Sequence, residues 1–126
     1  MSDAKRFAAI FDGLKLAYGT YKIDRTKTNG KQAGKASVVK EPRNLSHWEG
    51  HLSGKGDSIG IIPINEDNAA KWGCIDVDEY PLDHSEIVAR IRRMELPLVV
   101  CRSKSGGAHL FLFVTKFIPA ADMQET

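Results

Sequence analysis

Two aspartates separated by one residue, Asp76 and Asp78, carry the clearest chemical signal in the chain. They lie in the run Cys-Ile-Asp-Val-Asp at residues 74–78, which alternates apolar and acidic residues as a buried strand does. Because strand side chains alternate between faces, both carboxylates are expected on one face, with Ile75 and Val77 directed into a core. Adjacent carboxylates repel each other unless a divalent cation lies between them. The pair therefore predicts a cation site.

A turn of small and basic residues follows about thirty positions later and opens directly into an apolar strand. Turns rich in glycine expose backbone N–H groups, and with a lysine they form a seat for phosphate. His109 comes just after the turn, and its imidazole can donate to a phosphate oxygen. The residues of the turn are Ser103, Lys104, Ser105, Gly106 and Gly107. A cation site and a phosphate seat in one small domain suggest nucleotide chemistry.

Each of these signals has a plainer interpretation. The aspartates fit a strand end whose acids face water. The apolar residues at positions 61, 62, 75 and 77 favour instead a central strand, where free acids are costly. The turn fits an ordinary polar hairpin loop, since no GxxxxGK[ST] pattern is present. His47 and His51 are spaced to share one helical face as metal ligands, yet nothing nearby supplies further ligands, so a structural role is favoured.

The elements that must position these residues follow from hydrophobic periodicity and capping signals. Asn44 or Ser46 is expected to cap the second helix and Asp83 the third, and Asn29-Gly30 predicts a hairpin turn between the first two strands. Helices are predicted at residues 3–17, 46–52 and 83–93 and from 119 onwards. Strands are predicted at residues 20–23, 35–39, 58–64, 71–77, 97–101 and 108–114.

Composition limits the class of protein. The chain has 126 residues with 42% hydrophobic content, enough for one domain with a core. Its two cysteines, Cys74 and Cys101, lack the CxxC spacing of a zinc ribbon and do not make up a disulfide framework. They are expected to be small buried thiols. The sequence has no apolar run of membrane-spanning length and no signal-peptide pattern. A reducing, cytoplasmic location is therefore expected.

Basic residues are concentrated between positions 22 and 43. The net charge of +2 is too small to indicate nucleic-acid binding by itself. The local stretch, however, contains only two acidic residues and can track a phosphate backbone; a solvated loop is the other interpretation. Its seven basic residues are Lys22, Arg25, Lys27, Lys31, Lys35, Lys40 and Arg43.

Taken together, these segments resemble the archaeo-eukaryotic primase superfamily. The matching features are an acidic strand motif at residues 75–78 and a motif of small residues followed by histidine at residues 103–109. The upstream runs His-Leu-Ser-Gly-Lys (51–55) and Gly-Ile-Ile-Pro-Ile (60–64) are similar to the TOTE conflict-system primase domain, a branch also found in phage and mobile-element primase-polymerases. The resemblance covers roughly residues 46–118 well and the first 45 loosely.

The resemblance implies an α+β fold with an RNA-recognition-like (RRM-like, ferredoxin-related) catalytic sheet. The order strand, helix, strand, turn, strand, helix start in the second half agrees with such a sheet lacking its last strand. On this basis residues 1–126 are one primase-polymerase-type domain, with residues 1–57 as an N-terminal α/β lobe and residues 58–126 as the front part of the catalytic core.

The resemblance also implies a function: template-directed nucleotidyl transfer by a DNA primase or primase-polymerase, with two-metal catalysis on nucleoside triphosphates. Asp76 and Asp78 would hold Mg²⁺ or Mn²⁺ and act with His109 as catalytic residues. The nucleotide would be held by Ser103, Lys104, Ser105, Gly106, Gly107 and His109. A single-stranded DNA template and a helicase domain or protein are the further partners implied, with no membrane.

The chain departs from the family pattern at one position. The family has a third carboxylate on a strand after the helix that follows the histidine strand, and Asp122 and Glu125 come too early in the order to replace it. A fragment of a longer protein and a degenerate relative both stay open, and the chain alone is expected to be a poor polymerase. A binding module for nucleotide or single-stranded nucleic acid is the main alternative function. A metal-dependent nuclease is a third hypothesis, but it leaves the turn at residues 103–107 without a role.

Overall fold

The computed structural model describes residues 2–24 and 33–125, which form four helices and two three-stranded sheets. The chain divides into two compact units, Met1–Ala70 and Lys71–Thr126. The separate sheets and helices agree with the expected α+β class. The elements are α1 (Asp3–Ile10), β1 (Tyr18–Asp24), β2 (Ala33–Val39), α2 (Leu45–Ser53), β3 (Ser58–Gly60), β4 (Ala69–Val77), α3 (His84–Arg93), β5 (Val99–Arg102), β6 (Ala108–Pro119) and α4 (Ala120–Glu125).

Helix α1 ends at Ile10, and the prediction that it continues to residue 17 is wrong. Beyond it, the Gly13 backbone lies so close to Ile62 that a Cβ at Gly13 would overlap the Ile62 carbonyl oxygen. Leu14 N–H donates to that carbonyl at 2.8 Å, and Gly13 N–H donates to Asp12 Oδ1 at 2.8 Å. These contacts replace the helical hydrogen bonds, so tertiary structure overrides the helical pattern.

Arg43 binds the segment that follows α1 through contacts with Asp12 and Leu14. Its Nη2 lies 3.2 Å from Asp12 Oδ1, and the two side chains are only 10% and 24% exposed. Its Nη1 donates to the Leu14 carbonyl oxygen. Charge-assisted bonds of this kind are stronger when they are shielded from solvent. Arg43, the last basic residue of the 22–43 stretch, therefore has a structural role.

The first sheet has the strand order β2-β1-β3. Strands β1 and β2 form the predicted antiparallel hairpin, while the expected turn at Asn29-Gly30 lies outside the described residues. Strand β3 is shorter than the predicted 58–64 and pairs with β1, so it joins this sheet and not the second one. Pairs in register between β1 and β2 include Tyr18 with Val39, Thr20 with Ser37 and Lys22 with Lys35.

Asn44, one of the two predicted caps, is the N-cap of helix α2. Asn44 Oδ1 accepts from His47 N–H, and His47 Nδ1 accepts from Asn44 N–H at 3.0 Å, which completes a capping box. His51 Nδ1 accepts from Ile59 N–H at 3.1 Å. Both histidines thus use ring nitrogens in local hydrogen bonds, which supports their structural interpretation.

The core of the first unit is aromatic. Trp48 on α2 is 5% exposed, and its ring centroid lies 5.9 Å from that of Phe7 and 6.3 Å from that of Phe11. Phe7 and Phe11 stack on each other at 5.9 Å. Offset aromatic contacts of this kind stabilise a core beyond the area that they bury. The apolar spacing of α1 therefore serves to cover Trp48.

The second sheet has the order β4-β6-β5, with β5 and β6 antiparallel and Cys101 opposite His109. Asp83 caps α3 as predicted, its Oδ1 accepting from Glu86 N–H. Helix α3 contacts β5, and α4 contacts β6. Ala108 at the start of β6 is fully buried. None of the described helices has the length and apolar character that crossing a membrane requires.

Three expectations about the second sheet are wrong. Among the described strands β4 lies at an edge and β6 is central. Ile75 is 56% exposed instead of buried. The reason is that α4 contacts this face of β4 at Gly73, two positions before Ile75. An added Cβ at Gly73 would lie 3.0 Å from Met123 Sδ of α4. Cys74 and Cys101 are free and exposed, since their positions on the sheet are not covered.

Candidate functional site

Asp76 lies near the end of β4, beside His109 at the start of the neighbouring strand β6. His109 Nε2 is 3.6 Å from Asp76 Oδ1, and the side chains are 42% and 70% exposed. The structure thus brings together two of the predicted site residues from segments about thirty positions apart. With this exposure the Asp76 carboxylate faces water, which is the geometry of the plainer interpretation. Exposure leaves Asp76 open to a ligand.

Asp78 follows β4 directly and is held by a residue that the sequence did not single out. Tyr80 donates its hydroxyl proton to Asp78 Oδ1, and the same hydroxyl oxygen lies 2.9 Å from Ser105 Oγ. Since the single Tyr80 proton goes to Asp78, Ser105 is the donor in the second bond. The bond to Asp78 raises the pKa of the Tyr80 hydroxyl above its ordinary value. Tyr80 therefore joins the acidic pair to the glycine-rich turn.

The turn between β5 and β6 is closed by two backbone hydrogen bonds. Ser103 N–H donates to the Gly107 carbonyl at 3.0 Å, and Gly106 N–H donates to the Ser103 carbonyl at 3.1 Å. Gly106 has a φ of 98°, which residues with a Cβ rarely adopt. Gly107 is buried, and an added Cβ would overlap the Val77 carbonyl oxygen. The glycines thus allow the turn to lie against the end of the strand that bears Asp76.

His84 is a second residue missed by the sequence interpretation. It is the first residue of α3, and its Nε2 lies 2.8 Å from the Gly107 carbonyl oxygen. A carbonyl only accepts, so Nε2 carries the proton and donates. Gly107 is therefore fixed from α3 as well as from Ser103. Neither Tyr80 nor His84 stands in a recognisable motif, although Tyr80 continues the alternation of Asp76 and Asp78.

Replacing Gly107 with alanine is expected to lower the free energy of unfolding by about 3 kcal/mol, because the new methyl group overlaps rigid backbone at Val77. Denaturant unfolding measures the loss. Gly54→Ala is the control, since Gly54 has a φ of 73° with open space around it and should lose only about 1 kcal/mol. Equal losses in the two variants would show that the turn does not lie against β4.

The remaining residues of the turn differ in where they lie. Ser103 Oγ would be 3.2 Å from a Cβ at Gly107, so this hydroxyl sits over the turn itself. Ser105 is exposed and bonded to Tyr80, and Lys104 is exposed. The structure therefore places Lys104 and Ser105 at the surface of the turn and Ser103 closer to its interior.

Aromatic rings continue the row of side chains along β6 beyond His109. The His109 and Phe111 centroids are 6.0 Å apart, Phe111 and Phe113 stack at 5.7 Å, and Trp72 of β4 lies 6.0 Å from Phe111. This agrees with the prediction that residues 109, 111 and 113 share a face. His109 is therefore braced on one side by Phe111 while Asp76 lies on another.

Cys74 precedes Asp76 by two positions on β4. The Cys74 side chain is exposed overall, but the part of it that neighbouring atoms cover is desolvated, and this desolvation raises the pKa of the thiol. The Asp76 carboxylate raises it further, to a smaller degree. The nucleophile and metal ligand of cysteine chemistry is the thiolate, which a raised pKa disfavours. The chemistry of this site therefore lies with the carboxylates and the imidazole.

The donor set of the site fits the requirements of a hard divalent ion. Carboxylate oxygens suit Mg²⁺ and Mn²⁺, which take few protein ligands and keep water or phosphate in the other positions. Asp76 and Asp78 supply such oxygens from exposed side chains. Within residues 2–24 and 33–125, no three His, Cys, Asp or Glu side chains are grouped so as to hold a metal ion. The residues therefore fit an ion held mainly by water and a bound nucleotide.

The model of one protein family, described as the archaeo-eukaryotic primase domain of the TOTE conflict system, matches residues 15–126. The chain belongs to this family. The resemblance found at residues 75–78 and 103–109 is thereby confirmed, and both segments lie within the match. No curated protein matches the chain. For a primase domain of this family a nucleotidyltransferase-type function follows, with divalent metals, nucleoside triphosphates and nucleic acid as the metals and substrates that the family generally uses.

Proposed function

We propose that the chain is a template-directed nucleotidyltransferase domain, a DNA primase or primase-polymerase that uses nucleoside triphosphates and a single-stranded DNA template. The observation that carries the proposal is the approach of His109 to Asp76 at 3.6 Å, beside a glycine-rich turn bonded through Tyr80 to Asp78. Acidic residues and phosphate-binding groups are needed together where a metal-bound triphosphate reacts. The family match supports the same class of reaction.

In this proposal Asp76 and Asp78 hold Mg²⁺ or Mn²⁺. When bound, such ions lower the pKa of an attacking hydroxyl and neutralise charge on the triphosphate. Tyr80 occupies Oδ1 of Asp78 and leaves Oδ2 to a ligand, so it orients this carboxylate. Two carboxylates that share one site without a cation would repel each other. Their solvent exposure keeps that repulsion small in the free protein.

The turn and His109 hold the triphosphate. Lys104 contributes a positive charge, the turn's backbone N–H groups contribute donors, and a protonated His109 donates from Nε2. The Ser105 hydroxyl, whose proton goes to Tyr80, donates to phosphate only when it gives up that bond. Gly106, Gly107 and Ser103 give the turn its shape, as their hydrogen bonds indicate. Since the protein then has little to do besides positioning, most of the rate enhancement comes from orientation and electrostatics.

We also infer that β4, β5 and β6 are the front part of an RRM-like sheet. The strand order β4-β6-β5 and the antiparallel β5–β6 pair support this, because the first three strands of that fold have the same spatial order. The site residues then come from the two neighbouring strands β4 and β6 and the β5–β6 turn.

Primer extension tests the proposal. With a primed single-stranded DNA template and Mn²⁺, the wild type is expected to incorporate nucleotides only slowly, as the poor polymerase that the sequence predicts. Asp76→Asn is expected to reduce even this incorporation to background. Glu79→Gln is the control, since it removes one exposed acid from the adjacent loop. Incorporation that persists in Asp76→Asn contradicts the assignment. A wild-type protein that binds triphosphate but incorporates nothing would favour the alternative of a binding module. The same alternative is favoured by the lack, among the described residues, of three grouped side chains that could hold a metal ion.

A further inference from the structure

The first unit contains a cleft of about 570 Å³ that the nucleotidyl-transfer site does not use. Its floor is one face of the β1–β2 hairpin, and its wall is formed by α2 and the segment that leads into β3. All of its lining belongs to the unit Met1–Ala70. The residues from the hairpin are Tyr18, Thr20, Lys22, Lys35, Ser37 and Val39.

Positive charge is paired at one end of this floor. Lys22 and Lys35 stand opposite each other in the β1–β2 register, and both are exposed. Like charges directly opposite each other on a sheet are destabilising. An anion bound between the two lysines would therefore reduce their repulsion. Neither lysine has an ion pair with another described residue. Among the described residues of the lining, the one acid is Asp57, which precedes β3 and is exposed on the wall.

Hydroxyl groups continue the row beyond the lysines. Thr20 Oγ1 and Ser37 Oγ are 2.9 Å apart, so one hydroxyl donates to the other and the second keeps its proton for a ligand. Tyr18 OH lies 3.3 Å from His47 Nε2. His47 Nδ1 already accepts from Asn44 N–H, so the neutral ring carries its proton on Nε2 and donates to Tyr18. The proton of the buried Tyr18 hydroxyl is therefore left to donate in the cleft.

The row thus presents donors and positive charge, which is the chemistry that phosphate oxygens require. It spans four residue steps of β1, from Tyr18 to Lys22, or about 13 Å at the rise of a strand. A row of this length is suited to several phosphates of one chain. The described floor of the cleft offers no exposed aromatic ring on which a base can stack, so the expected contact is with the backbone and is independent of sequence.

We propose that this cleft binds the phosphate backbone of single-stranded nucleic acid. The inference rests on the proposed function, which requires a nucleic-acid template. The cleft would bind that template in the first unit. It also separates the basic residues at 22–43 by role: Lys22 and Lys35 contact phosphate, whereas Arg43 is engaged by Asp12.

Fluorescence anisotropy with a labelled oligodeoxythymidine tests this proposal. Lys22→Ala with Lys35→Ala is expected to weaken binding roughly ten-fold at low salt and to reduce the slope of log K against log salt by about 1.4, because each phosphate that a lysine no longer neutralises on a single strand changes the slope by about 0.7. The control, Lys5→Ala with Lys116→Ala, removes the same charge from exposed positions outside the cleft and should bind like the wild type. Equal affinity and slope in the two double variants would overturn the proposal.

A second arm separates a nucleic-acid strand from a free nucleotide, which carries the same phosphate chemistry. ATP affinity is expected to be unchanged in Lys22→Ala with Lys35→Ala, and a parallel loss of ATP and oligonucleotide binding would overturn the assignment to a strand. The proposed function fails on different grounds, when substitutions at Asp76, Asp78 and His109 have no effect on metal binding, triphosphate binding or incorporation. The two failures are therefore distinguishable.

Discussion

Replacing Asp76 and Asp78 together with asparagine is expected to abolish Mn²⁺ binding, the largest effect that the site predicts. The two carboxylates supply the negative charge and oxygen ligands of the proposed ion site, and asparagine keeps their shape without the charge. Binding to the wild type should itself be weak without nucleotide, because water and phosphate complete the coordination. Titration of Mn²⁺ followed by electron paramagnetic resonance measures the free ion directly.

The same double variant should fold like the wild type. Both aspartates are exposed, and an asparagine at position 78 can still accept from Tyr80. The exposed Asp76–His109 pair contributes little to stability. The free energy of unfolding is therefore expected to change by no more than about 0.5 kcal/mol. Glu79→Gln serves as the control for charge, and a double variant that binds Mn²⁺ as the wild type does would disprove the site.

Removing His109 or Lys104 is expected to weaken nucleoside triphosphate binding roughly ten-fold or more. Each is proposed to make a charge-assisted hydrogen bond to phosphate, worth about 1.5–3 kcal/mol. For the same reason the wild type should bind ATP more tightly than AMP, whose single phosphate reaches fewer donors. Isothermal titration calorimetry on His109→Ala and Lys104→Ala, in the presence of Mn²⁺, measures both effects.

Lys116→Ala is the matched control for Lys104→Ala, since Lys116 is an exposed lysine of the same unit, near the far end of β6. It should bind ATP like the wild type. Equal affinity of the wild type for ATP and AMP would remove the phosphate seat and leave residues 103–107 as an ordinary hairpin turn. If Lys116→Ala lost as much ATP affinity as Lys104→Ala, the loss would reflect the net charge of the protein and not a contact between Lys104 and phosphate.

Local signals in the sequence predicted much of the fold. Asn44 and Asp83 were recognisable as helix caps because the capping side chain bonds to a backbone group only three residues away. The β1–β2 hairpin follows in the same way from alternation and turn residues. The end of α1 and the length of β3 depend instead on the contact between Gly13 and Ile62, which are far apart in the chain. Periodicity carries no information about such a contact.

The site shows the same division. The alternation of residues 74–78 predicts that the two aspartates share one side, and this stays a prediction because Asp78 lies just beyond β4. The proximity of Asp76 to His109 agrees with the predicted strand context. The exposure of Ile75 and the edge position of β4 were missed, because burial depends on which elements cover a strand. Tyr80 and His84 were missed because each bonds to the glycine-rich turn, which is more than twenty positions away in the chain.

The basic stretch at residues 22–43 shows why composition alone is a weak guide to contacts. Its lysines and arginines look alike in the sequence, yet Arg43 is nearly buried against Asp12, while Lys22 and Lys35 face each other across a hairpin. Strand register decides which charges meet, and a count of charges does not contain the register. The members at 25, 27 and 31 lie outside the described residues.

The location of a bound Mn²⁺ ion tests the central claim most directly, namely that the end of β4 and the β5–β6 turn form one metal–nucleotide site. Mn²⁺ broadens the nuclear magnetic resonance signals of amides close to it, so a spectrum recorded with sub-stoichiometric Mn²⁺ and ATP maps the ion. The account predicts selective broadening at Asp76, Asp78 and residues 105–109. Broadening centred on another acidic segment, such as Glu66 and Asp67, with residues 76–78 and 105–109 unaffected, would contradict it.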